Sequence, residues 1–158
     1  MKLVLVDDEP AILDVLAAAC SADGHSVVTF SSSLDALRHL DTHQADLLVT
    51  DIVMPPPDGF RLVSTARKTQ PGLDAILVTG YSSRYSLEDM LACGATDLLF
   101  KPFRLQELRA RIRLAQARRR MVTLADARPR QPRTAAGPPT EIEVEARRAL
   151  YALTRRVG

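Results

Sequence analysis

The chain has 158 residues, of which 46% are hydrophobic and 25% charged, and this predicts one domain with its own core plus a tail. It has no Trp, no long apolar run, and two distant cysteines (Cys20 and Cys93). The sequence therefore argues against a base-stacking site, a thiol–metal or redox centre, a signal peptide and a membrane span, and we expect a cytoplasmic protein. The net charge of +2 conceals an asymmetry. Residues 1–103 hold seven Lys/Arg and fourteen Asp/Glu, whereas residues 104–158 hold fourteen and five, so an acidic domain carries a basic tail.

Five short apolar segments are predicted to be strands, and each is followed by apolar residues at helical spacing. The predicted strands are residues 2–6, 26–30, 46–50, 75–79 and 97–100. The predicted helices begin near Pro10, the Ser31–Ser33 run, Gly59, residue 84 and Leu105. Continuous apolar runs are typical of buried strands in parallel sheets, and the alternation favours an α/β fold with helices on both faces.

The last predicted helix can run on to Arg120. The Arg118–Arg120 run is expected to close it, because positive charge suits the carboxyl end of a helix.

Polar groups stand at the ends of four predicted strands. Asp7 and Asp8 follow the first, Asp51 the third and Lys101 the fifth, while Thr79 ends the fourth. Right-handed crossovers place the carboxyl ends of parallel strands at one edge, where open α/β sheets bind ligands. The three carboxylates would repel each other unless a cation joined them. Oxygen ligands favour Mg²⁺ over Zn²⁺.

This set of groups predicts phosphoryl chemistry. With a cation bound, the Asp51 carboxylate can act as a nucleophile and form an acyl phosphate. Lys101 would then neutralise one phosphoryl oxygen, the Thr79 hydroxyl would donate to another, and the small Gly80 would leave room. Each residue alone has an ordinary structural explanation as a cap, a strand end or a solvated loop residue. Only the combination indicates a site.

Five motifs carry a resemblance to a known family. They are Val6-Asp7-Asp8-Glu9-Pro10, Asp51-x-x-Met54-Pro55-x-x-Asp58-Gly59, Val78-Thr79-Gly80-Tyr81, Gly94-Ala95-x-Asp97 and Lys101-Pro102-Phe103. Over residues 1 to about 118 the chain resembles the receiver domain of two-component response regulators. The resemblance implies a flavodoxin-like, doubly wound sheet of five parallel strands in the order 2-1-3-4-5.

The resemblance also implies a function and a division of labour. Asp51 would accept a phosphoryl group from the phosphohistidine of a sensor histidine kinase or a phosphotransfer protein, so the chain would be a signalling phosphoacceptor rather than an enzyme. Asp8 and Asp51 would bind Mg²⁺ through their side chains, Asp7 would help through water, and the Val53 carbonyl would be the third protein ligand. Thr79 and Lys101 would contact the phosphoryl group.

One position departs from the family pattern. Leu98 stands where the family commonly has a Tyr or Phe that swings inward on activation. We therefore expect output to depend on movement of Thr79 and on the face formed by helices 84–92 and 104–118, as a shift between two states.

The tail follows a receiver region predicted at 1–120. Residues 121–139 are rich in Pro and Arg and predict a semi-extended linker. Residues 140–157 predict an amphipathic helix that begins with a capping box at Thr140. One helix cannot bury its own apolar stripe, so this segment would dock on the receiver, pair with a second copy or belong to an output module.

Three functions remain open from the sequence. The first is a phosphorylation switch that acts on an output protein or through self-association. The second is a transcriptional regulator, whole or truncated, because 140–157 is similar to the first helix of a Fis-type DNA-binding bundle. No recognition helix is found before Gly158, and basic charge alone gives only salt-sensitive DNA affinity. The third, a stand-alone aspartate-nucleophile phosphatase, ranks lowest because Asp7 and Asp8 are adjacent instead of forming a DxD pair.

Overall fold

The computed structural model describes residues 1–80 and 85–126, in which strands and helices alternate strictly. The strands are β1 (Lys2–Val6), β2 (Ser26–Phe30), β3 (Leu47–Asp51), β4 (Asp74–Thr79) and β5 (Asp97–Phe100). The helices are α1 (Pro10–Ala22), α2 (Ser33–Thr42), α3 (Gly59–Thr69), α4 (Leu87–Cys93) and α5 (Leu105–Asp126).

The strands form one parallel sheet in the order β2-β1-β3-β4-β5. The flavodoxin-like fold predicted from the sequence is therefore confirmed. The central strand β3 is buried along its whole length, which explains why its sequence is a continuous apolar run with no alternation. Because all strands run the same way, their carboxyl ends share one edge.

Two apolar clusters cover the two faces of the sheet. One packs β-strand residues against α1 and α5, and the other packs them against α2, α3 and α4. The helical members of the first cluster include Leu13, Leu16, Leu108, Ile112 and Ala115. Those of the second include Ala36, Leu40, Leu62, Val63, Ala66 and Met90.

Local signals explain where the helices begin. Pro10 occupies the first turn of α1, where its missing N–H is not needed. The Ser32 hydroxyl accepts a hydrogen bond from the Asp35 N–H at the start of α2. Ser86 and Asp89 form a reciprocal capping box at the start of α4.

Helix α5 continues past Arg120, where the sequence predicted its end, and reaches Asp126, the last described residue. Residues 121–126 contain neither Pro nor Gly, so nothing in them stops a helix, and the first six residues of the predicted linker are helical. The expectation that Arg118–Arg120 close the helix is wrong, since no basic residue lies in its last turn. Arg119 instead contacts the Asp46 carboxylate at 2.8 Å and donates to the Gly72 carbonyl at 2.7 Å.

Some predicted features lie outside the described residues: Tyr81 of the third motif, the rest of the predicted linker and the predicted helix at 140–157. In the described part of the chain, no helix is both long enough and apolar enough to span a membrane.

Candidate functional site

The carboxyl edge of the sheet brings two carboxylates and one ammonium group into direct contact. Lys101 Nζ lies 2.9 Å from Asp7 Oδ2 and 2.9 Å from Asp51 Oδ1. Asp7 and Asp51 are only 3% and 7% exposed. Asp51 is the last residue of β3, while Asp7 and Lys101 directly follow β1 and β5. The sheet topology thus joins residues that are far apart in sequence.

Main-chain donors fix the second oxygen of each carboxylate. Asp7 Oδ1 accepts a hydrogen bond from the Glu9 N–H at 3.0 Å, and Asp51 Oδ2 accepts one from the Val53 N–H at 2.9 Å. Each carboxylate therefore has one oxygen on Lys101 and the other on the loop that follows its own strand. Hydrogen bonds to charged groups are among the stronger ones in proteins. The orientation of both groups is set before any substrate arrives.

Thr79 and Lys101 are tied together through the main chain. The Lys101 N–H donates to the Thr79 carbonyl at 2.7 Å, and Thr79 is almost completely buried at the end of β4. A Cβ on the next residue, Gly80, would meet Lys101 Cβ at 4.0 Å, which is ordinary van der Waals contact. A Cβ at Gly80 would therefore fit beside the lysine without displacing it.

The electrostatics of the cluster favour an extra positive charge or a proton. Burial is the main reason why the pKa of Asp51 is raised, and it outweighs the hydrogen bond and charge of Lys101, which lower this pKa. Burial acts to lower the pKa of Lys101, but the hydrogen bonds and charges of Asp7 and Asp51 outweigh it, so this pKa is raised. Lys101 therefore stays charged while two buried carboxylates share it.

The remaining predicted metal ligands lie at the rim of this cluster. Asp8 is exposed and has no ion pair or hydrogen bond within the described residues, and Val53 is 43% exposed. In residues 1–80 and 85–126, no group of three or more His, Cys, Asp or Glu side chains is arranged to hold a metal ion. Mg²⁺, however, commonly takes one or two carboxylates and completes its shell with water and phosphate oxygens. Asp8, Asp51 and the Val53 carbonyl are oxygen donors of this kind and fit that ion.

Sequence reasoning missed two features that hold Asp51 in place. The Thr50 hydroxyl donates to the main-chain carbonyl of Asp51 at 2.9 Å. A Cβ at Gly59 would lie only 2.2 Å from the same carbonyl oxygen, so only glycine fits there. Thr50 had a visible signal, since it is the one polar residue inside the apolar run 47–50. For Gly59 the sequence indicated only the start of a helix.

Comparisons with known proteins point to one family. The family model described as response regulator receiver domain matches residues 3–113. The response regulator MprA of Mycobacterium leprae is 35% identical over 113 residues, which cover 72% of this chain and 50% of that protein. The transcriptional regulatory protein GlrR of Escherichia coli is 36% identical over 103 residues, covering 63% of this chain and 22% of that protein. The chain thus spans half or less of the length of these curated relatives.

A solved structure shows a similar fold. It is the response regulator protein TrrA from Thermotoga maritima in complex with Mg²⁺-BeF, with a TM-score of 0.66 and 28% identity. The match covers 72% of this chain and 97% of that one.

Proposed function

This chain belongs to the response regulator receiver domain family, and on that premise we propose that it is the phosphoacceptor of a two-component phosphorelay. Asp51 accepts a phosphoryl group from the phosphohistidine of a sensor histidine kinase or a phosphotransfer protein. The acyl phosphate that results changes the contacts that the chain makes with its output partner.

The observation that supports this proposal best is the pair of buried carboxylates, Asp7 and Asp51, on one lysine. In the transfer, an Asp51 carboxylate oxygen forms a bond to phosphorus while the phosphorus–nitrogen bond of the phosphohistidine breaks, and the imidazole leaves with the electron pair. Lys101 already lies 2.9 Å from Asp51 Oδ1, so it is placed to neutralise a phosphoryl oxygen. The Thr79 hydroxyl donates to a second phosphoryl oxygen.

Mg²⁺ would be held by the side chains of Asp8 and Asp51 and by the Val53 carbonyl, with Asp7 acting through water. When bound, the ion supplies positive charge that offsets the charge of the acceptor and of the phosphoryl oxygens. The hydrogen bond from the Val53 N–H to Asp51 Oδ2, at 2.9 Å, keeps the carboxylate oriented toward the phosphoryl donor.

An apolar groove beside Lys101 offers a surface for the donor protein. It has a volume of about 420 Å³ and is lined by residues of α1 and of the β5–α5 loop, including Ile12, Val15, Pro102 and Phe103. Val15 contributes exposed apolar surface to this groove, with 55% of its surface accessible. A donor that packs here brings its phosphohistidine close to the acceptor.

Output is proposed to pass through the face formed by α4, β5 and α5. Leu91 of α4 and Phe100 of β5 are 62% and 46% exposed, and the Asp97–Arg111 ion pair joins β5 to α5. Leu98, at the position of the family's aromatic residue, packs instead against the cluster on the α2–α4 side of the sheet. The signal therefore travels through Thr79 to this face, without an aromatic ring at position 98.

A second candidate, a DNA-binding transcriptional regulator, is favoured by one observation. GlrR, a relative at 36% identity, is a transcriptional regulatory protein. The residues of this chain that would decide the question, 127–158, lie outside the described part. Gel-shift titration of the full chain with duplex DNA, with and without phosphorylation, at two salt concentrations separates specific from charge-driven binding.

Mass spectrometry tests the acceptor directly. The full chain is incubated with acetyl phosphate and MgCl₂, and we expect one phosphoryl group on Asp51 and none on Asp51→Asn. Asp58→Asn is the matched control, because Asp58 lies in the same loop but caps α3 by accepting from the Arg61 N–H at 2.9 Å. Uptake that persists in Asp51→Asn, or that is lost in Asp58→Asn alone, contradicts the assignment.

A further inference from the structure

The main-chain carbonyl of Asp51 lies just beyond the β1–β3 ladder. The parallel register between these strands ends with Val6 opposite Thr50, so Asp51 has no partner residue on β1. Its carbonyl oxygen instead accepts a hydrogen bond from the Thr50 hydroxyl at 2.9 Å. Thr50 is completely buried, and a buried hydroxyl is costly unless it is hydrogen-bonded. This bond explains how a polar side chain is accommodated inside β3.

The start of α3 packs against the same oxygen. A Cβ at Gly59 would lie 2.2 Å from it, and the Gly59 N–H donates to the Ile52 carbonyl at 3.0 Å. The Asp51 carbonyl is therefore held by a hydroxyl and confined by the first residue of a helix. A rotation of the peptide group between Asp51 and Ile52 would break the hydrogen bond from the Thr50 hydroxyl or push the carbonyl oxygen against Gly59.

The position of this peptide group decides where the carboxylate points. Asp51 Oδ1 must reach Lys101 while Oδ2 reaches the Val53 N–H, each at 2.9 Å. A small displacement of the main chain would lengthen both contacts. Reacting groups that are misplaced by about 1 Å can lose about 100-fold in rate. The hydroxyl bond is thus well placed to control reactivity without touching the phosphoryl group.

We propose that Thr50 is a positioning residue for phosphoryl acceptance, acting through the Asp51 main chain. This inference rests on the proposed function, because it concerns the same acceptor. It assigns a chemical role to a side chain that the substrate never contacts.

Thr50→Val and Thr50→Ser test the role of the hydroxyl. Valine keeps the shape and β-branching but removes the hydrogen bond, and serine keeps the bond. With acetyl phosphate and MgCl₂, we expect the saturating phosphorylation rate of Thr50→Val to fall about tenfold and that of Thr50→Ser to stay within about twofold of wild type. The half-saturating acetyl phosphate concentration should not change, because Thr50 does not contact the donor. If Thr50→Val does not fold, Thr50→Ala removes the same bond without adding strain from bulk.

Thr96→Val is the matched control at the opposite edge of the sheet. The Thr96 hydroxyl also bonds the main chain, donating to the Ala75 carbonyl at 2.9 Å and accepting from the Ala75 N–H at 3.1 Å. We expect Thr96→Val to lower the melting temperature and leave the phosphorylation rate unchanged.

The outcomes separate the two proposals. A wild-type rate in Thr50→Val, an equal loss in Thr96→Val, or no rescue by Thr50→Ser overturns the positioning role while leaving the acceptor assignment intact. If the wild-type chain takes up no phosphoryl group at Asp51, the proposed function fails and this inference fails with it.

Discussion

The sheet has an acid–base contact at each of its two edges, and the two contacts differ in burial and in partners. At the amino edge, Arg119 pairs with Asp46 at 2.8 Å, and both side chains are about one-third exposed, at 34% and 31%. At the carboxyl edge, Lys101 lies between Asp7 and Asp51, whose side chains are only 5% and 8% exposed.

The amino edge is balanced. Arg119 pairs with one carboxylate oxygen of Asp46, and the other oxygen accepts from the Lys2 N–H at 2.7 Å. Nη1 of Arg119 also donates to the Gly72 and Asp46 carbonyls. The carboxyl edge has two buried carboxylates for one ammonium group, and an uncompensated buried charge is costly. Contacts between acidic and basic side chains thus stabilise the fold at the amino edge, and at the carboxyl edge they create affinity for a cation or a proton.

Removing the cation at each edge should produce the largest difference between the two edges. Lys101→Ala leaves two buried carboxylates without their cation and removes the group that would neutralise the phosphoryl oxygen. We expect the phosphorylation rate to fall at least about 100-fold, as when one preorganised donor is removed from an enzyme site. Arg119→Ala should cost about 1–2 kcal/mol of stability and leave the rate unchanged. Mass spectrometry over time and thermal unfolding measure the two effects.

At the carboxyl edge, Thr79→Ala should separate phosphorylation from output. It should leave phosphorylation largely intact and weaken phosphorylation-dependent output, whereas Lys101→Ala damages both. Equal rate losses in Lys101→Ala and Arg119→Ala would show that the two edges are not distinct in function.

Glycines offer the next comparison, with a smaller effect. Gly59→Ala places a Cβ 2.2 Å from the Asp51 carbonyl oxygen, so the main chain of the acceptor or the start of α3 must move. Gly72 lies at the amino edge and a Cβ there would meet nothing within 4 Å. We expect Gly59→Ala to cost about 2–3 kcal/mol, with a reduced phosphorylation rate, and Gly72→Ala to stay within about 0.5 kcal/mol of wild type. Denaturant unfolding measures the free energy of unfolding of both variants, and an unchanged stability of Gly59→Ala would disprove the close packing.

The fold could be predicted because its signals are local. The apolar run 47–50 ending at Asp51 indicates a buried strand, and Pro10 and Ser32 mark helix starts through backbone chemistry. The end of α5 was mispredicted because the Arg118–Arg120 run was interpreted as a helix terminus, although nothing after it stops the helix before Asp126. A charge preference at a helix end is weak compared with a true stop such as Pro or Gly.

The site could be predicted only in part. Parallel topology brings residues at strand ends together whatever their distance in sequence, and the structure places Asp7, Asp51 and Lys101 in contact. The Thr50 bond and the Gly59 contact depend on distances of a few tenths of an ångström, and no residue spacing carries such information. The roles of Asp8 and Val53 toward Mg²⁺ stay predictions.

Mg²⁺ binding provides the third comparison. MgCl₂ should raise the melting temperature of the wild-type chain, because binding to the folded state stabilises it. Asp8→Asn should weaken the apparent Mg²⁺ affinity by at least about tenfold, since metal affinity depends strongly on the ligands and their surroundings. Asp46→Asn, which alters an acid at the amino edge, should leave that affinity unchanged. Identical Mg²⁺ responses in both variants would remove Asp8 from the metal site.

Proton linkage gives the smallest effect and tests the charge imbalance itself. Burial raises the pKa of Asp51 above its ordinary value of 3.8, so the folded chain binds this proton more tightly than the unfolded chain does. The stabilisation that comes from this tighter proton binding is therefore fully present below pH 3.8. It is lost as the pH rises through the raised pKa of Asp51 in the folded chain. At neutral pH the ionised Asp51 lowers the free energy of unfolding.

Asp51→Asn removes this charge and leaves Lys101 paired with Asp7 alone. We expect the variant to be more stable than wild type at pH 7 by about 1 kcal/mol, with a melting temperature a few degrees higher. The difference should shrink toward zero as the pH falls below the raised folded pKa of Asp51 and approaches 3.8. Asp46→Asn, which disrupts a balanced pair, should instead be less stable than wild type at pH 7. Thermal unfolding of the three proteins from pH 4 to pH 8, without Mg²⁺, measures these signs, and a destabilised Asp51→Asn at pH 7 would mean that Lys101 fully compensates both buried carboxylates.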